Sequence, residues 1–242
     1  MTFTNQHAVI TGGANGIGRC IAEAFLRHGA AVTVIDIDPQ EINGTQLFHG
    51  DIADNGVLER FVASLNKPVS FLINNACVAR AGLLSGCSYA DFKHVQRVSV
   101  TAPYYLTSLL LQHDLFAPNA AIVNIASTRA MQSQPDTEAY SAAKGGIVSL
   151  THAMAVSLAG KVRVNCVSPG WIDTTGSAFT GADATQHPSG RVGVPADIAE
   201  MVLFLCSDRA GFITGENITI DGGMSRLMVY HGDHGWTLDE SN

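Results

Sequence analysis

The sequence is short of charge. Asp, Glu, Lys and Arg make up only 14% of its 242 residues, well under the usual quarter. So few charges do not cover a monomer's exterior in the ordinary way, and part of the surface is expected to lie between subunits. Positive charge is scarcer still: 14 Lys and Arg stand against 21 Asp and Glu, a net charge of -7. That sign argues against nucleic acid and anionic lipid as partners, because both are held through broad basic patches. The five cysteines, Cys20, Cys77, Cys87, Cys166 and Cys206, are odd in number and include no C-x-x-C pair. Neither a disulfide framework nor a zinc site is indicated, and a reducing compartment is. Met1 to His7 lacks a basic stretch leading into an apolar one, and no apolar run reaches the roughly eighteen residues of a membrane span. A cytoplasmic location, without membrane contact, is the expectation. Low-complexity linkers and long repeats are also missing, so no domain boundary is visible.

What is present is a large supply of core. Apolar residues make up 46% of the chain and 24 residues are Gly, enough for one domain of this length to fold without staples. Short apolar runs alternate with longer amphipathic ones. Strands are predicted at His7 to Thr11, Ala31 to Asp36, Gln46 to His49, Val69 to Asn74, Ala121 to Ile125, Val162 to Val167 and Asn217 to Ile220. Helices are predicted at Ile17 to His28, Gly56 to Leu65, Ala90 to Gln112, Glu138 to Leu158 and Ala196 to Cys206. This alternation predicts an α/β fold, one doubly wound parallel sheet with helices on both faces. The link from Asp36 to Gln46 is too short for a helical crossover and is expected to be a loop. Thr174 to Pro188, rich in Gly, Thr and Ala, is expected to be a mobile loop beside a site.

The first strand runs into Thr11-Gly12-Gly13-Ala14-Asn15-Gly16-Ile17-Gly18. Glycines there let the backbone turn tightly and approach a ligand, and the following helix aims its N-terminal N–H groups at an anion such as a pyrophosphate. An ordinary strand-to-helix turn has the same composition. Position favours the ligand: the loop opens the first β-α-β unit, and Asp36 ends the second strand eighteen residues after Gly18. An acid there hydrogen-bonds the ribose 2′-hydroxyl of NAD and repels the 2′-phosphate of NADP. Tyr140 and Lys144 are four residues apart on one face of a predicted helix. A cation so placed favours a phenolate, which suits a proton donor and acceptor in hydride transfer. Taken alone, the pair is more often an exposed aromatic beside a helical lysine. Ser127, just past a strand, is either a turn residue or a hydrogen-bond donor to a substrate oxygen.

Together these motifs resemble the short-chain dehydrogenase/reductase family from about residue 7 to Met224. The resemblance is carried by Thr11 to Gly18, Asp51-Ile52, Asn74-Asn75-Ala76, Ser127, Tyr140 with Lys144, Pro169-Gly170 followed by Thr174, and Asp221-Gly222-Gly223. It implies a Rossmann-type domain in which Gly12, Asn15, Gly16, Ile17, Gly18 and Asp36 hold the cofactor NAD. It implies further that Asp51 and Ile52 border the adenine, that Asn75 and Ala76 lie along the cofactor, and that Ile172 and Thr174, after Pro169 and Gly170, meet the carboxamide. By the same resemblance Ser127 positions the substrate oxygen, Tyr140 is the acid/base, and Lys144 binds the nicotinamide ribose while assisting the tyrosine. The helices 90–112 and 138–158 are where such subunits pair into homodimers or homotetramers.

Two positions depart from the family pattern. Aligning Val98-Ser99-Val100-Thr101 puts Ser99 where the family commonly has an asparagine that holds a water in a proton relay to the lysine. A working but slower relay is expected. Cys77 replaces a glycine, and a small buried hydrophobe is expected there rather than a reactive thiol. Arg80 and Arg129 follow Ala76 and Ser127 closely enough to border the pocket, where a guanidinium pair suits a carboxylate, sulfonate or phosphate. Surface ion pairs or contact with cofactor phosphate are the competing readings.

Phe179 is the one bulky apolar residue expected to wall a small polar pocket. The tail, 225–242, carries Met228, Tyr230 and Trp236 and is expected to pack over the cleft or on a neighbouring subunit. His231 and His234 lack a third ligand, so no metal site is expected there. The resulting expectation is an NAD(H)-dependent dehydrogenase of a small polar or anionic secondary alcohol. A 3-oxoacyl, dihydrodiol or hydroxysteroid substrate is the next reading, and a dinucleotide-binding regulator without turnover stands as the alternative of another class.

Overall fold

The computed structural model describes residues 1–237. Seven parallel strands form one sheet in the order β3-β2-β1-β4-β5-β6-β7. They are β1 His7–Thr11, β2 Ala31–Asp36, β3 Thr45–His49, β4 Val69–Asn74, β5 Phe116–Ile125, β6 Val162–Pro169 and β7 Asn217–Ile220. The helices are α1 Gly16–Arg27, α2 Asn55–Ser64, α3 Tyr89–Gln96, α4 Ala102–Gln112, α5 Glu138–Ser157, α6 Ala182–Thr185 and α7 Pro195–Cys206. No helix joins β2 to β3, as the short link predicts.

Side chains alternate across each strand, so the sheet feeds two cores. Ile10, Val34, Phe71 and Val123 face α1 and α7, where Ile21, Phe25, Ile198 and Val202 cover them. Val9, Ile35, Leu72, Ile122 and Val164 face α2, α4 and α5, where Phe61, Leu106 and Met154 cover them. The central strands are apolar on both faces, which is the pattern of a sheet buried twice over.

Strand order reverses between β1 and β4. At such a switch point the connections depart to opposite sides and leave a crevice beyond the carboxyl ends of the strands. Register fixes what lines it. Thr11 pairs with Ile35 and Asn74, Asn74 with Asn124, Ile125 with Val167, and Pro169 with Ile220, so these strand ends lie side by side.

The segment predicted as one helix, 90–112, is two. α3 and α4 are joined by a π turn, Arg97–Thr101. Pro103, at the start of α4, has no N–H to donate to the Ser99 carbonyl four residues earlier, so the regular ladder breaks there. The expected loop from Thr174 to Pro188 contains the single helical turn α6. The tail runs on from β7. Met228 and Tyr230 are exposed on this chain, and a local turn closed by the Trp236 N–H on the Asp233 carbonyl at 2.8 Å holds the segment instead of burial. Packing on a neighbouring subunit remains a proposal, and residues 238–242 of the tail lie outside the described residues. Among the described residues no helix is long and apolar enough to cross a membrane.

Candidate active site

The glycine loop leaves β1 and turns back at Gly12, whose φ of 66° is left-handed. A Cβ on Gly12 would come within 2.7 Å of the Ala76 Cα, and one on Gly18 would overlap the Gly12 carbonyl oxygen. Both positions therefore need glycine for close backbone approach. Asn75 sustains that approach: its amide donates to the carbonyls of Thr11 at 3.2 Å and Gly12 at 2.7 Å. Thr11 Oγ1 accepts from the N–H groups of Asn75 and Ala76, each at 3.1 Å. Asn75 thus acts on the loop backbone, through an amide that already has partners.

The start of α1 is bare. Asn15 stands at the N-cap but makes no capping bond, and no acidic residue occupies the first turn. Its side chain reaches instead to Asp38 Oδ2 at 2.7 Å. The N–H groups of Gly16, Ile17 and Gly18 consequently face outward with the positive end of the helix dipole behind them. An uncapped N-terminus behind a loop wound this tightly fits the pyrophosphate of a dinucleotide. Thr174 lies across the gap, where a Cβ on Gly16 would meet its Cγ2 at 3.3 Å. Ile172 is half-buried and bridges to Gly193.

Asp36 ends β2 beside the loop. Its carboxylate accepts from the N–H of Ala14 at 2.8 Å and of Asp38 at 2.9 Å. Asp51 is exposed just past β3, whereas Ile52 is buried in the core under α2.

Beyond β5 and β6 opens a cleft of about 900 Å³ lined by Ser127, Tyr140, Gly170, Trp171, Arg80, Arg129 and the base of the tail at Met224 and Ser225. The structure thus brings Ser127, Tyr140 and both arginines together. Ser127 Oγ accepts from the N–H of Arg129 at 3.1 Å, which leaves its own O–H free to donate. Lys144 is buried at the base of the tyrosine. Its Nζ donates to the Ile125 carbonyl at 2.8 Å and lies 5.3 Å from the Tyr140 ring centroid. A polar ladder seats α5 on the sheet: Asn74 donates to Asn124 Oδ1 at 2.8 Å, and Asn124 to Thr151 Oγ1 at 2.9 Å.

Ser99 sits in the π turn, 4% exposed, with no hydrogen-bond partner for its Oγ. That turn abuts α5, where a Cβ on Gly146 would come within 3.2 Å of Val100. A buried hydroxyl without a partner is costly unless water satisfies it.

Three expectations are corrected here. Cys77 is exposed, on the loop that leaves the sheet after Asn74, while its neighbours Ala76 and Val78 pack against the core. The thiols that are buried are Cys166, which burial pushes up to about 11, and Cys206, which burial pushes higher. Nor does Phe179 wall the cleft. Trp171 does, with Phe179 edge-on behind it at 4.8 Å and His187 tilted beneath it at 6.0 Å. The sequence signal for Trp171 was its position directly after Pro169-Gly170. Gln132, Ser133 and Gln134 also line the cleft, and their polar run between Ser127 and Tyr140 was the available sign. The cleft is also larger than expected.

The profile of a family described as Enoyl-(Acyl carrier protein) reductase matches residues 12–225. A solved structure of an apo SCOR enzyme from Clostridium thermocellum is 46% identical, with a TM-score of 0.90 over 98% of this chain and 99% of that one. A short-chain dehydrogenase/reductase from Brucella melitensis described as a glucose/ribitol dehydrogenase is 32% identical, with a TM-score of 0.85 over 95% of this chain and 100% of its own. The 2-(S)-hydroxypropyl-CoM dehydrogenase 3 of Xanthobacter autotrophicus is 35% identical over 92% of this chain and 98% of its own length.

Proposed function

The chain belongs to the short-chain dehydrogenase/reductase family, oxidoreductases that use a nicotinamide dinucleotide, and on that premise we propose that it interconverts a small polar secondary alcohol and its ketone with NAD(H). The observation that carries the reading is the meeting of Ser127 and Tyr140 in one cleft with Lys144 buried beneath the tyrosine. When bound, the nicotinamide supplies the hydride acceptor. In the oxidative direction the carbinol carbon gives up hydride, and its hydroxyl proton passes to the Tyr140 oxygen. Ser127 donates to the same substrate oxygen and fixes its orientation. The buried Lys144 ammonium balances negative charge on the phenol oxygen. Ser99, through a water on its unpartnered hydroxyl, extends the route by which that proton leaves.

NAD rather than NADP is supported by charge. Residues 31–44 carry Asp36, Asp38 and Glu41 and no Lys or Arg, so nothing there would pair with a 2′-phosphate. Exposed Tyr104 and Leu111 on α4 and Val156 on α5 support pairing of these helices in a homodimer or homotetramer. Five free thiols support a cytoplasmic location. A second reading, reduction of a 3-oxoacyl thioester, is favoured by the volume of the cleft, which has room for more than a small polyol.

The test is NADH formation on a panel of polyols, hydroxy acids and 3-hydroxyacyl thioesters. Tyr140→Phe is expected to lower kcat by about a hundredfold or more with the fold intact, and Asp36→Ala to relax discrimination against NADP. Tight NAD binding without turnover on any arm would favour a non-catalytic regulator.

A further inference from the structure

We propose that Arg80 and Arg129 form an anion-recognition pair, so that the alcohol turned over carries a carboxylate, sulfonate or phosphate group; this deepens, and rests on, the alcohol and ketone reading above. In a chain with only 14 Lys and Arg, two of them converge from different connections on the cleft that holds Ser127 and Tyr140. Arg80 comes from the link between β4 and α3, and Arg129 from the link between β5 and α5. Convergence from separate elements is what a binding site requires and a chance surface pair does not.

Neither guanidinium is used up. Arg80 donates to its neighbour's carbonyl, that of Ala79, at 3.0 Å, and its Nε makes a half-exposed ion pair with Asp91 Oδ1 at 3.7 Å, too long for a hydrogen bond, which leaves guanidinium donors over. Asp91 is itself engaged by the Ser88 cap. Arg129 meets the neutral side chain of Gln134. With five N–H donors on each guanidinium, both keep donors for an oxyanion, in the fork geometry that suits carboxylate, sulfonate and phosphate. Among the described residues the acid lining the cleft is Asp221, and its carboxylate already accepts from Gly223 at 2.9 Å and Ser225 at 2.8 Å. None of residues 11–18 lines this cleft, so the arginines stand apart from the loop that fits the pyrophosphate. The anion takes no part in the chemistry. It holds the alcohol against Tyr140, and the group is either part of a small free alcohol or the distal phosphate of a thioester carrier.

Two measurements on the full-length enzyme decide this. In the first, propane-1-sulfonate and its neutral analogue propane-1-sulfonamide are titrated calorimetrically into enzyme saturated with NADH. Sulfonate is expected to bind about tenfold or more tightly than sulfonamide and to weaken about tenfold in Arg80→Gln or Arg129→Gln. Equal affinity for the two probes in the wild-type protein, which needs no variant to fold, overturns the proposal. So does sulfonate affinity that is indifferent to both substitutions.

In the second, kcat/KM is compared for 3-hydroxybutanoate, 3-hydroxybutanamide and the 3-hydroxybutanoyl thioester of phosphopantetheine. Preference for the free acid over the amide, lost in the arginine variants through KM, assigns the anion to a small substrate. Preference for the thioester, lost in the same way, assigns it to the carrier phosphate. Amide turnover equal to both overturns the proposal. If sulfonate binding behaves as expected and no alcohol turns over, the anion site stands and the alcohol reading falls.

Discussion

Asn75 and Gly18 crowd the same carbonyl, that of Gly12. The Asn75 amide donates to the Gly12 oxygen, and a Cβ on Gly18 would overlap both that oxygen and the Asn75 amide nitrogen. A single methyl group therefore strikes backbone and its supporting hydrogen bond together, and neither can yield without moving the loop. For Gly18→Ala we expect NAD affinity to fall about tenfold or more, measured by titration, from an overpacking cost of about 1–3 kcal/mol. Ser99 and Cys77 show how far a residue's type foretells its setting. The serine is buried with its hydroxyl unpartnered, the cysteine is exposed, and composition alone would reverse them.

At the scale of elements, α7 illustrates how one side chain fixes a helix and what lies before it. Asp197, in its first turn, accepts from the N–H of Val194 at 2.8 Å and is gripped by Arg191 at 2.6 and 2.7 Å. The Arg191 guanidinium beside it holds the Asp197 carboxyl below its usual range, against the opposing effect of partial burial. Gly193, between these partners, bridges to Ile172 and so carries the grip to the segment that faces the glycine loop. Because Arg191 is more than half exposed, solvent screens the pair, and Asp197→Ala is expected to cost only about 1 kcal/mol. A chain of this length would then melt about 2–4 °C lower. The sign follows from the depressed folded pKa: the contribution is present above the unfolded carboxylate value and lost as pH falls through the folded one. Melting curves of wild type and variant should therefore converge in strong acid. On the opposite side of the cleft, Asp136 adopts a left-handed φ of 68° and receives the N–H groups of Leu84 at 2.7 Å and Ser85 at 3.2 Å. That clasp ties the Arg80 connection to the segment just ahead of Tyr140.

For the molecule as a whole, His7 couples stability to acid. It sits in β1, 5% exposed, with Nε2 at 2.8 Å from Thr33 Oγ1 of β2. Burial holds its pKa below the usual imidazole value of about 6.5, against the raising effect of the Lys67 and Pro68 carbonyls. The unfolded chain therefore takes up a proton before the folded one, and stability is full above about pH 6.5 and declines below it, until the folded pKa is passed. In His7→Gln that portion of the acid sensitivity should disappear, seen as a smaller drop in urea midpoint between pH 7.5 and pH 5. Much of this architecture was legible without coordinates. The alternation of apolar runs foretold all seven strands and the missing helix between β2 and β3, because the central strands of a sheet buried on both faces need apolar side chains on both sides. The glycine loop, Ser127, Tyr140 and Lys144 were legible as motifs because each is a local pattern of spacing. What the linear pattern left hidden depends on partners far along the chain. The π turn arises where Pro103 breaks a ladder that periodicity alone reads as continuous, and the Trp171 wall arises because Phe179 and His187 fold behind it. The convergence of Arg80 and Arg129 belongs to the same kind. Periodicity and turn chemistry act between near neighbours, so the sequence by itself determined the seven strands and the helices α1, α2, α5 and α7. Side chains from connections 49 residues apart met in one cleft only through strand order, which the tertiary structure alone decided.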